Sequence, residues 1–118
     1  MKLKKILGLD EAKLNSYTDL EIGSVYRFVD VNSSGDDITR DYKYIGIRNG
    51  SPHFTLVRHF LKPDVLKKYK KSGMEWKTGN SMWTGAAALN RDIKQGNIQK
   101  IDNDAAKREW YKFYKANY

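Results

Sequence analysis

Two histidines are the side chains in this chain that are most easily tied to catalysis. His53 and His59 are its only histidines, and imidazole is the usual general acid or base near neutral pH. They stand six residues apart in one stretch with strand character, so the pleat predicts the same face for both, roughly 20 Å apart. That separation is too long for a shared metal ion or a direct acid–base pair unless the strand bends sharply.

One short segment resembles part of a catalytic signature. His53-Phe-Thr-Leu56 is similar to one half of the signature of two-histidine phosphoesterases, in which a His and a Thr on each of two strands grip a phosphate. The second half is missing, because His59 is followed by Phe60 and Leu61 rather than by an aromatic residue and a Thr. The resemblance implies a phosphodiesterase or nuclease with His53 and His59 as general acid and base. Histidines at the surface or in a turn are the alternative, and the missing half favours it.

The segment from Asp30 to Asp41 carries oxygen-bearing side chains in the order of a calcium loop. Relative positions one, three and five, a Gly at six and an acid at twelve follow the EF-hand pattern. Against this, Asp37 stands where that loop carries an apolar residue, and residues 25–29 make a poor entering helix. Asn, Ser, Gly and Asp are also ordinary turn residues, so we predict a polar turn and no bound metal. The residues that would bind calcium are Asp30, Asn32, Ser34, Asp36 and Asp41.

A lysine-rich segment offers a different chemistry, the binding of anions. Residues 62–71 carry five lysines against one aspartate, and ammonium groups neutralise phosphates. Residues 107–115 are also basic. Aromatic side chains stack on unpaired bases where they are exposed, whereas at strand and helix spacing they usually belong to the core. The candidate nucleic-acid-binding residues are Lys62, Lys67, Lys68, Lys70, Lys71, Tyr42, Tyr44, Trp76 and Trp83.

The overall charge points to an anionic partner. The 22 Lys and Arg residues outnumber the 14 Asp and Glu residues, which gives a net charge of +8. Such an excess favours nucleic acid, an acidic protein or an anionic membrane surface, although a positive surface also serves solubility alone. No segment is long enough to span a bilayer and the N-terminus lacks the apolar region of a signal peptide, so we expect a cytoplasmic protein without a membrane partner.

Several classes of chemistry are missing from the sequence. The chain has no cysteine, which excludes disulfides, thiolate metal sites and cysteine nucleophiles. It has no phosphate loop, dinucleotide fingerprint, nucleophile elbow or metalloprotease helix. We therefore expect no cofactor, and a binding protein is favoured over an enzyme.

Three strands joined by two turns must position the histidines and tyrosines. The runs are rich in Val, Ile, Thr, Tyr and Phe, which suit a pleated, half-buried surface. Asn49 and Gly50 tolerate the positive φ that a tight hairpin needs, and polar residues 32–37 form the other turn. The predicted strands span residues 25–31, 38–48 and 53–61.

Helical signals dominate the second half of the chain. Pro63 suits a first helical turn and Gly73 suits the end of that helix. Met82, Ala86 and Leu89 recur at helical spacing. The predicted helices span residues 63–72, 81–94 and 104–116, the predicted short strands span 74–77 and 97–101, and a further short helix is predicted at 9–14.

The predicted sheet is apolar on both faces, so it must curl into a barrel or be covered by helices. We predict an α+β fold, with a small bent antiparallel sheet or SH3-like barrel and three flanking helices. The chain is predicted to form a single domain, 1–118, with a lead-in at 1–22, a three-stranded β-meander at 23–61 and a helix-rich half at 62–118.

The functional prediction is a non-enzymatic, basic module that binds nucleic acid through the lysine-rich helix and exposed aromatic side chains. Two alternatives stay open. One is a small protein-binding regulator or inhibitor, such as one encoded by a phage or mobile element, that docks on an acidic host protein. The other is a phosphodiesterase or nuclease that uses His53 and His59.

Overall fold

The structure, a computed structural model, describes residues 14–118. Within them lie a five-stranded antiparallel sheet and three α-helices, which confirms the predicted α+β class. None of the helices in this part of the chain is both long and apolar enough to cross a membrane. The predicted helix at residues 9–14 falls almost wholly outside the described residues. The strands are β1 (Val25–Phe28), β2 (Arg40–Arg48), β3 (Ser51–His59), β4 (Ser81–Trp83) and β5 (Ile98–Lys100), and the helices are α1 (Pro63–Lys71), α2 (Ala86–Lys94) and α3 (Asn103–Asn117).

The sheet is small, bent and open. Its strand order is β4-β3-β2-β1-β5, so β4 and β5 form its two edges and the predicted barrel alternative is wrong. The long β2–β3 hairpin turns at Asn49 and Gly50, whose φ angles of 53° and 79° confirm the predicted tight turn. Because this hairpin carries most of the pairing, it forms the frame on which the other elements pack.

The pairing of β2 with β3 is irregular, and this changes which side chains share a face. Thr55 lies opposite Lys43, whereas Arg58 lies opposite Asp41, so three steps along β3 match two steps along β2. An extra residue of this kind is a β-bulge, which reverses the alternation of faces beyond it. Simple alternation therefore assigns the end of β3 to the wrong face.

Residues 81–94, predicted as one helix, form a strand followed by a helix. In β4, Met82 lies opposite Phe54 and packs against the core. Gly85, with φ −70° and ψ 145°, is extended and precedes the first turn of α2. The prediction failed because Met82 fits both a helical stripe and a buried strand position. The predicted strand at 74–77 has no regular secondary structure.

Two apolar clusters hold the elements together. In the larger one, Phe28 lies edge-to-face with Tyr42 and Phe54 at centroid distances of 5.1 and 5.2 Å, and α2 covers these rings with Leu89 and Ile93. The smaller cluster anchors α1 and contains Ile38, Leu61 and Val65. The opposite face of the sheet is left for α3.

Candidate nucleic-acid interface

Helix α1 is held against the protein by one apolar side. Val65 is buried, and Leu66 and Tyr69 are half-buried against the smaller cluster. The amide of Asn32 donates to the Tyr69 hydroxyl at 3.2 Å, which fixes the helix against the loop before β2. Since helical side chains three or four residues apart share a side, this anchoring leaves the lysine-rich side facing outward.

The five lysines from Lys62 to Lys71 are all exposed. Lys67, Lys70 and Lys71 lie at spacings of three and four and share the outer side of α1. Lys68 points toward the preceding loop, where its Nζ lies 3.4 Å from an Asp36 carboxylate oxygen. Within residues 14–118, no carboxylate lies within salt-bridge distance of Lys62, Lys67, Lys70 or Lys71.

A buried polar network fixes the inner side of α3 on the sheet. Asp41 is fully buried and accepts hydrogen bonds from Arg27 Nε at 2.8 Å and from Arg58 Nη1 at 2.5 Å. Each arginine also reaches α3, because Arg58 donates to Asn103 and Arg27 donates to Glu109. One carboxylate thus positions two guanidinium groups, and both groups bind the helix above them.

The environment of Arg27 favours its charged form. Burial opposes the charge, but hydrogen bonds and ion pairs with Asp41 and Glu109 outweigh this and raise its pKa. Its guanidinium carbon also lies 4.6 Å from the ring centroid of Phe60, within the range of a cation–π contact. With its charge satisfied in this way, Arg27 supports α3 and is not a free anion-binding group.

The outer side of α3 is basic and aromatic. We call it the α3 outer face and include the C-terminal Tyr118, which caps the helix. Its basic members have no carboxylate within salt-bridge distance among residues 14–118. All its members are exposed, and they are Lys107, Arg108, Tyr111, Lys112, Tyr114, Lys115 and Tyr118.

Aromatic rings on this face form a stack along the helix. Trp110 and Tyr114 have a centroid distance of 5.2 Å and an interplanar angle of 26°, and Tyr114 and Tyr118 have 5.0 Å and 8°. A hydrogen bond fixes each end of the stack. Trp110 Nε1 donates to the His59 carbonyl at 3.1 Å, and the Tyr118 hydroxyl donates to the Leu61 carbonyl at 2.5 Å.

These tyrosines were not among the candidates from the sequence, because aromatic residues at helical spacing usually belong to the core. A signal was nevertheless present. Lys107, Tyr111, Tyr114 and Tyr118 follow one another at spacings of four, three and four, which is a second stripe on the same helix.

Of the aromatic candidates from the sequence, two lie in the core. Tyr42 and Tyr44 are only 3% and 4% exposed, and both pack against Phe54. Burial raises the pKa of both phenols. Their prediction as base-stacking residues is wrong, because both side chains are buried in the larger apolar cluster.

The two tryptophan candidates differ from each other. Trp76 is half-buried, packs edge-to-face with Tyr69 at 5.7 Å and lies beside the Arg40 guanidinium. Trp83 is 67% exposed on the edge strand β4. Trp83 thus has a ring face free for a partner, while Trp76 is mainly a packing residue.

The residues of the calcium-loop pattern do not converge. Asn32 Oδ1 accepts from the backbone amides of Ser34 and Asp36 at 3.0 and 2.9 Å, which is the local bonding of an Asx turn. Asp41, the required last ligand, is bound to arginines in the buried network, and Asp30 accepts from its neighbour Val31. Among residues 14–118, no group of three or more His, Cys, Asp or Glu side chains is arranged to hold a metal.

The two histidines do not share a face, contrary to the prediction. The β-bulge described above lies between them and brings His59 opposite Arg40, whose guanidinium packs on core rings. His53 Nδ1 lies 2.8 Å from the Ser51 carbonyl, and His59 Nδ1 accepts from the Leu61 amide at 3.2 Å. Burial lowers the pKa of His59. Both side chains thus have local roles, and this arrangement does not support a paired acid and base.

A cleft of about 600 Å³ lies between α3, the start of α1 and the loop before β2. Its lining carries more carboxylates than cations, and neither histidine lines it. An acidic lining repels phosphates, so this cleft is not a candidate phosphate site. The charged lining residues are Asp36, Asp37, Asp64, Glu109, Arg27 and Lys62.

Comparison of the chain with models of protein families, with curated proteins and with solved structures gave no significant match.

Proposed function

We propose that this protein binds nucleic acid, with α1 and the α3 outer face as its phosphate-contacting surfaces. The observation that carries the proposal is the set of exposed cations without carboxylate partners in residues 14–118, on the outer side of α1 and along α3. When exposed, unpaired ammonium and guanidinium groups bind the phosphates of a polyanion, they displace its counterions. The release of these counterions favours binding.

The arrangement of charge on α1 supports this role. Lys67 and Lys71 are one helical turn apart, and a like-charge pair at this spacing destabilises a helix by about 0.2 to 0.5 kcal/mol. Lysines near a helix C-terminus also interact favourably with the helix dipole, but that interaction falls off within the last turn. Phosphates bound along α1 would relieve the repulsion over the whole segment.

A protein partner is the second candidate, and one observation favours it. Trp83 is exposed on β4, an edge of the open sheet. An edge strand with an exposed aromatic side chain is a surface on which a partner can add a strand. If an acidic protein binds at β4, it should compete with nucleic acid only to the extent that its contact surface overlaps α1 or the α3 outer face.

The test is fluorescence anisotropy with labelled single-stranded DNA, duplex DNA and RNA over a range of salt concentrations. We expect log Kd to change linearly with log salt, with a slope of about 0.7 to 0.9 per phosphate contact. The triple variant K67Q/K70Q/K71Q should weaken binding at low salt and reduce this slope.

A matched control removes the same number of charges elsewhere. Lys43, Lys77 and Lys94 are exposed on β2, the connection before β4, and α2. If K43Q/K77Q/K94Q weakens binding as much as the α1 variant, binding depends on net charge and α1 is not the site. If the wild-type protein fails to bind any of the three nucleic acids at low salt, the proposed function is rejected.

A further inference from the structure

We propose that the α3 outer face selects single-stranded over double-stranded nucleic acid by stacking an unpaired base on Tyr111. This inference rests on the proposed function and names its ligand class. Lysines bind the phosphates of either form, whereas base faces are accessible only in an unpaired strand.

Tyr111 has the exposure that such stacking needs. Its side chain is 62% exposed, whereas the Tyr114 ring is covered by Trp110 on one face and by Tyr118 on the other. Tyr111 meets Trp110 in an edge-to-face contact at 6.1 Å and is not part of the stack. We therefore place the stacked base on Tyr111.

The helix that carries Tyr111 is also held rigidly, which lowers the entropy cost of binding. Tyr114 is sandwiched between Trp110 and Tyr118, and the outer members of this stack are hydrogen-bonded to backbone carbonyls. Beneath the stack, the buried network fixes the inner side of the helix on the sheet. A pre-organised aromatic surface loses little side-chain freedom when a base stacks on it.

Charge complementarity identifies the occupant as a polyanion. Lys107, Arg108, Lys112 and Lys115 surround the tyrosines, and Lys115 Nζ lies 6.0 Å from the Tyr111 ring centroid. Glu109, the acid nearest to them in the helix, is turned toward Arg27 and is bound there. An acidic protein would match the charge but would leave the exposed Tyr111 ring without a planar partner, whereas a single strand supplies both phosphates and bases.

The experiment separates base stacking from phosphate binding by using two strands with the same charge. One is an oligothymidylate of about 16 nucleotides, and the other is an abasic strand of equal length. Stacking of one base on an aromatic ring corresponds to about a 5- to 150-fold change in Kd. We expect the wild-type protein to bind the oligothymidylate at least about 5-fold more tightly than the abasic strand.

One pair of variants tests Tyr111. Y111A should lose most of the preference for the oligothymidylate and keep its affinity for the abasic strand. Y111F keeps the ring and should retain the preference. Circular dichroism melting of both variants shows whether α3 remains folded, and we expect it to remain folded because Tyr111 lies outside the stack.

Each outcome bears on a different proposal. Equal binding of both strands by the wild-type protein, or an unchanged preference in Y111A, overturns the stacking inference and leaves salt-dependent phosphate binding standing. Equal affinity for duplex and single-stranded DNA overturns the selectivity in the same way. Absence of binding to every nucleic acid rejects the proposed function itself, and capture of an acidic protein by this face would then replace it.

Discussion

Replacement of Asp41 should damage the fold severely, although Asp41 lies outside the core of aromatic rings. It is 0% exposed and is the shared acceptor for Arg27 and Arg58. The substitution D41N keeps the size of the side chain but removes the charge, so that the buried Arg58 loses its counter-ion and Arg27 keeps only Glu109. Breaking a buried ion pair in this way costs about 3 to 5 kcal/mol.

The measured effect should be large on the scale of a small protein. Domains of this size are typically stable by about 5 to 15 kcal/mol, and each 1 kcal/mol corresponds to about 4 °C in Tm. D41N should therefore lower Tm by about 12 to 20 °C. Urea unfolding followed by circular dichroism and tryptophan fluorescence gives the free energy, and a red shift at low urea would report release of α3 through Trp110.

Glu109 provides the matched control, because it binds the same Arg27 from the exposed end of the network. Its side chain is 57% exposed, and ion pairs of that kind contribute about 0 to 1 kcal/mol. E109Q should cost no more than this, and added salt should reduce the cost further by screening. The cost of D41N should persist at high salt, because a buried charge is poorly screened.

A free-energy loss below about 1 kcal/mol for D41N in a two-state transition would refute this reasoning. It would mean that water or side-chain rearrangement satisfies Arg58 as well as the carboxylate does. Replacement of Asp41 and Arg58 together by apolar residues is a second check. If uncompensated charge causes the damage, the double variant should be more stable than D41N.

Two further predictions concern the backbone and a titrating side chain. Gly46 lies within β2 at φ 105°, and a Cβ there would lie 3.1 Å from Ile22 Cδ1. G46A should therefore lower the free energy of unfolding in urea by about 1 to 3 kcal/mol. The control G85S lies at negative φ with open space around it, and it should be neutral or mildly stabilising. Burial lowers the pKa of His59 in the folded protein. Between that lowered pKa and the ordinary value near 6.5, the unfolded chain binds more protons than the folded protein does. The stability of the fold should therefore decrease as the pH drops below about 6.5. The drop in Tm between about pH 7.5 and pH 5.5 should be smaller in H59N, and an equal drop would contradict the assignment of this effect to His59.

Elements with strong local signals could be predicted from the sequence. The Asn49–Gly50 hairpin and the start of α1 at Pro63 follow from backbone preferences that no distant contact overrides. Helix α3 has a capping aspartate, Asp102, whose side chain accepts from the Asp104 amide at 3.0 Å. In each case the decisive interaction lies within a few residues of chain.

The errors arise where tertiary pairing decides the structure. The segment at Met82 fits a helical stripe as well as a strand, and only the free edge of β3 selects the strand. The bulge in β3 depends on how Arg58 meets Asp41 across the hairpin, which no spacing within one strand reveals. The face on which His59 lies could therefore not be predicted, and neither could the burial of Tyr42.

The lysine side of the candidate site was predictable, while its aromatic side was not. Charged side chains stay at the surface almost regardless of fold, so Lys67 and Lys71 are exposed as expected. Whether a tyrosine is exposed depends on which other elements pack against it. Tyr44 and Tyr111 both occur in amphipathic elements, but Tyr44 is buried in the larger apolar cluster, and nothing in residues 14–118 covers Tyr111 to the same extent.

The buried network and the α3 outer face are physically connected. The carboxylates of Asp41 and Glu109 lie on the side of α3 that faces the sheet, where they form ion pairs with Arg27 and Arg58 and so hold the helix. Because these acids are engaged on the inner side, they do not offset the cations on the outer side, and the field beyond α3 stays positive. The same contacts that fix the position of α3 thus leave its outer side both rigid and basic, which are the two properties that a stacking platform for a charged strand requires.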